Sequence, residues 1–364
     1  ILALRQTDEP QPARAPWRMS TCPRRRRPFQ IAQTVMPAPT AASALPHVVI
    51  LATGGTIAGS SDSNTDTTDY LPGAIGVADL IAAVPEITQV AQVSGHQVAN
   101  VASSDVDQQV LLTLSRRITA TLADPQVHGV VVTHGTDMLA ESAFFIDLTV
   151  RSTKPVVFVG AMRPATAISA DGPMNLLNAV ALAASAQSAG RGTLVALNDR
   201  IGSAYYTLKT HATSLDTFGA DEQGYLGLMV AGKPHFYFEP ALPTGRPSFD
   251  IAGLDRLPRV DVLYAHQDQG PELLDAAVAG GARGVVIAGS GNGTLTESLK
   301  QRVQELDARG FPVVRSSRTD NGYVTPKAEG IASGIHSPSK ARWVLALALA
   351  RNEPLAQIRA HFGA

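Results

Sequence analysis

The stretch Val48-Val49-Ile50-Leu51-Ala52-Thr53-Gly54-Gly55-Thr56 and its counterpart Val130-Val131-Val132-Thr133-His134-Gly135-Thr136-Asp137 both run from β-branched residues through glycine to a threonine. Such an apolar run reads as a strand, so each delivers a hydroxyl at a strand's end. Two hydroxyls placed this way suggest a nucleophile in one shared crevice. Further strand-length runs lie at 98–101, 156–159 and 194–197. Helical patterns fall between them at 105–122, with Asp105 or Asp107 as cap, at 140–149 and at 174–186. The alternation implies an α/β fold, a mostly parallel sheet with helices on both faces. Residues 228–230 and 235–238, joined by Ala231-Gly232-Lys233-Pro234, read as a hairpin on this domain. We therefore expect an N-terminal domain over 47–240, a proline-rich linker over 241–260 and a smaller domain over 261–364. The smaller domain repeats the pattern, with strands at 262–264, 285–288 and 313–314, helices near 271–279 and 295–308, and a last helix at 339–350.

In the first domain every polar motif follows a predicted strand: 53–56, 103–105, 133–137 and 160–162. All would emerge at the carboxyl edge of one sheet, where open α/β sheets bind ligands. A threonine hydroxyl attacks only when one group takes its proton and another stabilises the oxyanion. Gly54 and Gly55 would let the chain turn sharply and approach a ligand. Alone, the same string reads equally as a glycine turn with Thr56 capping a helix, and it lacks the G-x-G-x-x-G spacing of a dinucleotide loop. From Gly59 to Asp69 no side chain is aliphatic or aromatic, and Tyr70 follows. That reads as a polar loop closing one aromatic hydroxyl over the cleft and excluding water.

With 364 residues the chain can hold two domains and a well-buried core. Residues 1–46 differ from the rest, carrying seven arginines against Asp8 and Glu9 and 8 of the 24 prolines. This composition reads as a disordered basic tail. Arg24-Arg25-Arg26-Arg27 matches a nucleic-acid patch, but a solvated tail or a start placed too far upstream, with Met19 and Met36 as later starts, explains it more simply. No nucleic-acid partner is expected. No apolar run approaches the ~20 residues of a membrane span, and the single Cys22 supports no internal disulfide. The expected compartment is the cytoplasm; export would require a different N-terminus. The nine histidines form no H-E-x-x-H or Cys/His cluster, so neither metal nor cofactor is expected.

The two threonine strings closely resemble the paired signatures of the bacterial-type L-asparaginase family, in a type II-like form. Val159-Gly160-Ala161-Met162-Arg163-Pro164, Ser169-Ala170-Asp171-Gly172-Pro173, Arg315-Ser316-Ser317-Arg318 and Ser337-Pro338-Ser339-Lys340-Ala341-Arg342 also look like that family, in order, so the likeness covers about 47–364. The resemblance implies hydrolysis of L-asparagine to L-aspartate and ammonia through an acyl-enzyme on Thr56. In the family pattern Tyr70 is the lid tyrosine beside that threonine, and Thr136, Asp137 and Lys209 position and activate water. Ser103 matches the residue binding the substrate α-carboxylate, Asp137 suits the α-ammonium, and the Ala161 carbonyl receives the scissile amide nitrogen. Asn292, Ser298 and Glu329 match residues reaching the site from a neighbouring subunit, with Glu329 assisting Tyr70. A homotetramer of intimate dimers with shared sites is implied, as is a flavodoxin-like smaller domain. His134 has a structural role on this pattern. One departure stands out: Ser104 occupies a position that is usually Gln or Glu and reaches the α-ammonium. A glutaminase-asparaginase is the nearest alternative, and a non-catalytic amino-acid sensor is the alternative of another class.

Overall fold

The computed structural model describes residues 44–363, so nearly all of the tail expected at 1–46 lies outside the described residues. The chain builds its first sheet from β1 (His47–Gly54), β2 (Gln92–Val101), β3 (Val127–Thr133), β4 (Val156–Val159), β5 (Thr193–Leu197) and β6 (Arg200–Ser203). After a short ribbon of β7 (Leu208–Lys209) and β8 (Phe218–Gly219), the hairpin β9 (Gly227–Val230) and β10 (Lys233–Phe236) completes it. The strand order is β10-β9-β6-β5-β4-β3-β1-β2, parallel from β2 to β5 and antiparallel beyond. The second sheet holds β11 (Val260–Tyr264), β12 (Gly284–Gly289), β13 (Val313–Ser317) and β14 (Ile331–Ala332), parallel and in plain sequence order. It is thus the larger sheet that has the flavodoxin-type order 2-1-3-4-5 over its parallel strands, with the order reversing at β1.

The helices of the larger sheet are α1 (Val77–Ala82), α2 (Gln108–Ala123), α3 (Leu139–Thr149) and α4 (Gly172–Ala184). Asp107 caps α2 by accepting from the backbone N–H groups of Gln109 and Val110, both at 2.9 Å. Alternate residues of β1 serve opposite faces. Val48 and Ile50 pack with α4 residues Leu176 and Val180. Val49 and Leu51 pack with Leu114 and Ile118 of α2 and with Phe144 and Phe145 of α3.

The second sheet is flanked by α5 (Glu272–Ala279) and α6 (Glu297–Ala308), followed in the chain by α7 (Pro338–Ala350) and α8 (Leu355–Ala360). Val285 and Ile287 of β12 face α5 and α6. Val286 faces α7 and belongs to the same core as Phe144 and Phe145. One apolar cluster therefore runs from the larger sheet through α3 and α7 into the smaller one. Phe145 and Trp343 meet edge-on in it, with ring centroids 5.1 Å apart. The segment expected as a linker holds neither helix nor strand between Phe236 and Val260, yet Phe249, Ile251 and Leu257 are buried in that core. Among the described residues no helix is long and apolar enough to cross a membrane.

Phe145→Ala should destabilise the protein by about 3–5 kcal/mol, the usual cost of emptying a packed aromatic site. Urea unfolding of both proteins measures it; a cost below about 1 kcal/mol would show that the α3–α7 contact does not couple the two sheets.

Candidate active site

Where the strand order reverses, the loops after β1 and β3 leave the sheet side by side. Gly54 and Gly55 have φ of 103° and 82°, a backbone region that side chains rarely adopt. A Cβ on Gly55 would lie 2.2 Å from the Gly135 nitrogen, and one on Gly135 would lie 2.9 Å from Ser103 Oγ. The loops after β1 and β3 thus touch backbone to backbone, and the Ser103 side chain, from the loop after β2, packs against Gly135. Thr53 Oγ1 donates to the Thr133 carbonyl at 2.9 Å, and the Gly55 N–H donates to the Val101 carbonyl at 3.1 Å. Gly55, not Thr56, stands as cap of the short 3-10 turn Thr56–Ala58. Thr56 opens that turn and is 5% exposed.

Each threonine has its own partner. Thr56 Oγ1 lies 2.6 Å from the Tyr70 hydroxyl. The polar loop before Tyr70 is largely exposed and is pinned at its base by paired backbone hydrogen bonds between Ser60 and Leu71, at 3.1 and 2.9 Å. Thr136 Oγ1 accepts from Lys209 Nζ at 3.1 Å, and the same ammonium is 2.6 Å from Asp137 Oδ1. Lys209 comes from β7, far along the chain from either loop. Thr56, Tyr70, Thr136, Asp137 and Lys209 together line one cleft of about 560 Å³, with Arg163 and Ser214 at its walls. Such a cleft holds a phenolic hydroxyl beside one threonine and a lysine beside the other, an arrangement suited to acyl transfer.

The remaining expected residues are placed variously. Ser103 is buried beside Gly135, and its Oγ accepts weakly from the Met138 N–H at 3.4 Å. Ser104 is exposed on the same turn. Ala161 is fully buried, in a loop made rigid by Asp171, which accepts from the N–H groups of Met162 at 3.0 Å and Arg163 at 2.9 Å. Asn292 and Ser298 lie outside this chain's cleft and are exposed. Asn292 exchanges two 2.8 Å hydrogen bonds with Thr325.

Glu329 lies outside this chain's cleft. It is 6% exposed, its carboxylate 3.8 Å from Arg315 Nε and its carbonyl accepting from the same nitrogen at 2.7 Å. The motifs around Asp171, Arg315 and Lys340 turn out to be polar ties that hold loops, the first half-buried and the other two buried. Their sequence signal was a lone charge inside an apolar or small-residue run, as in Val313-Val314-Arg315.

His134 is fully buried, its Nδ1 2.7 Å from the Gly135 carbonyl. Burial pushes its pKa down to about 4. His336, within 3.0 Å of both the Ser333 carbonyl and the Tyr205 hydroxyl, is pushed to about 4 by the same cause.

Residues 47–242 match the family model described as the asparaginase N-terminal domain, and 259–362 match that of the glutaminase/asparaginase C-terminal domain. L-asparaginase 2 of Bacillus subtilis (strain 168) is 48% identical over 326 residues, which cover 87% of this chain and 86% of that protein. L-asparaginase 2 of Escherichia coli (strain K12) is 42% identical over 340 residues, 91% of this chain and 97% of its own. Among solved structures, that of a probable cytoplasmic L-asparaginase from Campylobacter jejuni aligns with a TM-score of 0.83 at 42% identity, covering 87% of this chain and 99% of that one.

Two outcomes follow. Gly55→Ala should lower the melting temperature and wreck the cleft together, because the added carbon has nowhere to go; an unchanged melting temperature would mean that the two loops are free to separate. Both buried histidines stay neutral in the native state while the unfolded chain takes up protons near pH 6.5. Their contribution to stability is therefore complete above that pH and is lost as pH falls toward 4, by about 3 kcal/mol each. Urea unfolding at pH 7 and 4.5 should show a smaller acid loss in His134→Gln than in wild type; equal losses would contradict the neutral buried imidazole.

Proposed function

The chain belongs to the asparaginase family, and on that footing we propose that it hydrolyses L-asparagine to L-aspartate and ammonia through a covalent ester on Thr56. The single observation that carries this reading is the pairing of two hydroxyls in one cleft, Thr56 with Tyr70 at 2.6 Å and Thr136 with Lys209 at 3.1 Å. Thr56 Oγ attacks the side-chain amide carbon as its proton passes to the Tyr70 hydroxyl oxygen while the Tyr70 proton is handed on to the amide nitrogen, so that the C–N bond breaks and nitrogen leaves as ammonia. Water positioned by Thr136, Asp137 and Lys209 then opens the ester and releases aspartate. Ser103 binds the α-carboxylate, Asp137 the α-ammonium, and the Ala161 carbonyl receives the leaving nitrogen. No cofactor enters these steps.

The partner is the small-molecule substrate together with further copies of the chain. A homotetramer with sites shared between subunits gives the exposed Asn292 and Ser298 a neighbour's cleft to complete, and the proposed compartment is the cytoplasm. Glutamine is the competing substrate, because a cleft of about 560 Å³ has room for one more methylene. Ser104 is too short to reach the α-ammonium directly, and the longer substrate needs that anchor more, so asparagine is preferred.

Ammonia release from asparagine is the test. Thr56→Ala and Thr136→Ala should each lose about a thousandfold or more in turnover, with the double variant barely worse than the worse single one. Wild-type turnover in either removes that threonine from the mechanism. Ser104→Glu should lower KM roughly ten- to a hundredfold, the worth of a hydrogen bond to a charged group of about 1.5–3 kcal/mol, and gain relatively on glutamine. No change on either substrate would mean that residue 104 does not face the ammonium.

A further inference from the structure

Lys340 of α7 is 2% exposed, and its ammonium makes three hydrogen bonds, to the carbonyls of Ala204 at 3.1 Å, Tyr205 at 2.7 Å and Thr207 at 2.8 Å. An ammonium has three donors and no acceptor, so all of its capacity falls on one short segment of backbone. Two residues later that segment becomes β7 and carries Lys209. A second tie holds the same segment from the smaller sheet. The Tyr205 hydroxyl lies 3.0 Å from His336 Nε2, and Ser316 Oγ at the end of β13 donates to the His336 carbonyl at 2.8 Å.

Withdrawing an ammonium from water is costly, and an apolar side chain of similar size would fill the space without that cost. Burial pushes the Lys340 pKa down to about 7, opposed by Asp147 and Glu141 on α3. The Phe144 ring, with its centroid 5.2 Å from Nζ, forms another wall. What the cation uniquely provides is three converging donors, and their only recipients are the residues that lead into Lys209.

We infer that Lys340 is a positioning residue: by holding residues 204–207 it fixes where Lys209 meets Thr136, so the smaller domain sets the water-activating half of the site. The inference rests on the role proposed above for Lys209. Thr56 and Tyr70 sit on loops that Lys340 does not touch, so the acylating half is left intact when Lys340 is replaced.

The experiment compares wild type, Lys340→Met, Lys209→Met and the double variant, with Lys340→Arg as a second replacement that keeps a buried cation should the methionine variant not fold. Lys340→Met should cut kcat roughly ten- to a hundredfold, the scale of a displaced catalytic group, without raising KM. Amide hydrogen exchange should speed up across residues 204–210, and Lys340→Arg should recover part of the rate. In the Lys209→Met background the further loss should vanish, because both changes remove the same interaction. An equal loss in that background, or a loss confined to KM, would assign Lys340 to general stability and overturn the inference. Wild-type turnover in Lys209→Met alone would overturn the role of Lys209 and the inference with it, a result separate from any change at residue 340.

Discussion

The site depends on a contact between two loops at a point where no side chain fits. Gly55 and Gly135 approach so closely that a carbon added to either would collide with the other loop or with Ser103. That contact exists because the parallel strands reverse order at β1. The chain after β1 and the chain after β3 leave neighbouring strands in different directions, and the crevice between them is the natural ligand site of such a sheet. Both hydroxyls stand on backbone that is fixed on two sides, by the sheet below and by the other loop. A catalytic constellation needs this sort of support to keep its geometry within a fraction of an ångström.

Around that rigid centre the other groups arrive by different routes. Tyr70 comes on a largely exposed polar loop tied down at Ser60 and Leu71, a segment with little apolar burial and so among those that open most readily. Lys209 comes from a two-strand ribbon whose approach is set by buried polar ties from α7 and, through His336, from the end of β13. Arg315 performs a similar service elsewhere, its guanidinium fully buried and donating to the carbonyls of Glu329, Thr325 and Gly293. Buried cations of this kind are weak contributors to net stability. Their effect is to give irregular loops a single conformation.

Much of this was legible in the residues. The buried parallel strands β1, β3, β4 and β5 are runs of Val, Ile and Leu, and helices α2, α3 and α4 lie within two residues of their expected starts or ends at most boundaries. The edge strand β2 was longer than expected because Gln92, Ser94, His96 and Gln97 interrupt its apolar pattern, as suits a strand with one open side. Helices α1 and α8, six residues each, are too short for a period to be read. The residues at 240–258 looked like a linker because proline suppresses periodicity, and only the structure reveals Phe249 and Leu257 inside the core. At the site, the threonines, Tyr70, Asp137 and Lys209 converge on one cleft. Glu329 was expected to reach a neighbouring subunit's site, and its burial beside Arg315 within its own chain is a property of the folded chain that no period in the sequence announces.

The central claim is that Thr56 carries the acyl group while Thr136 serves the water. Acid quenching of the protein during turnover of asparagine, followed by peptide mass spectrometry, reads this directly. An aspartyl ester on the peptide containing Thr56, accumulating further in Thr136→Ala, is the expected result. An ester on the Thr136 peptide, or its formation in Thr56→Ala, would contradict it.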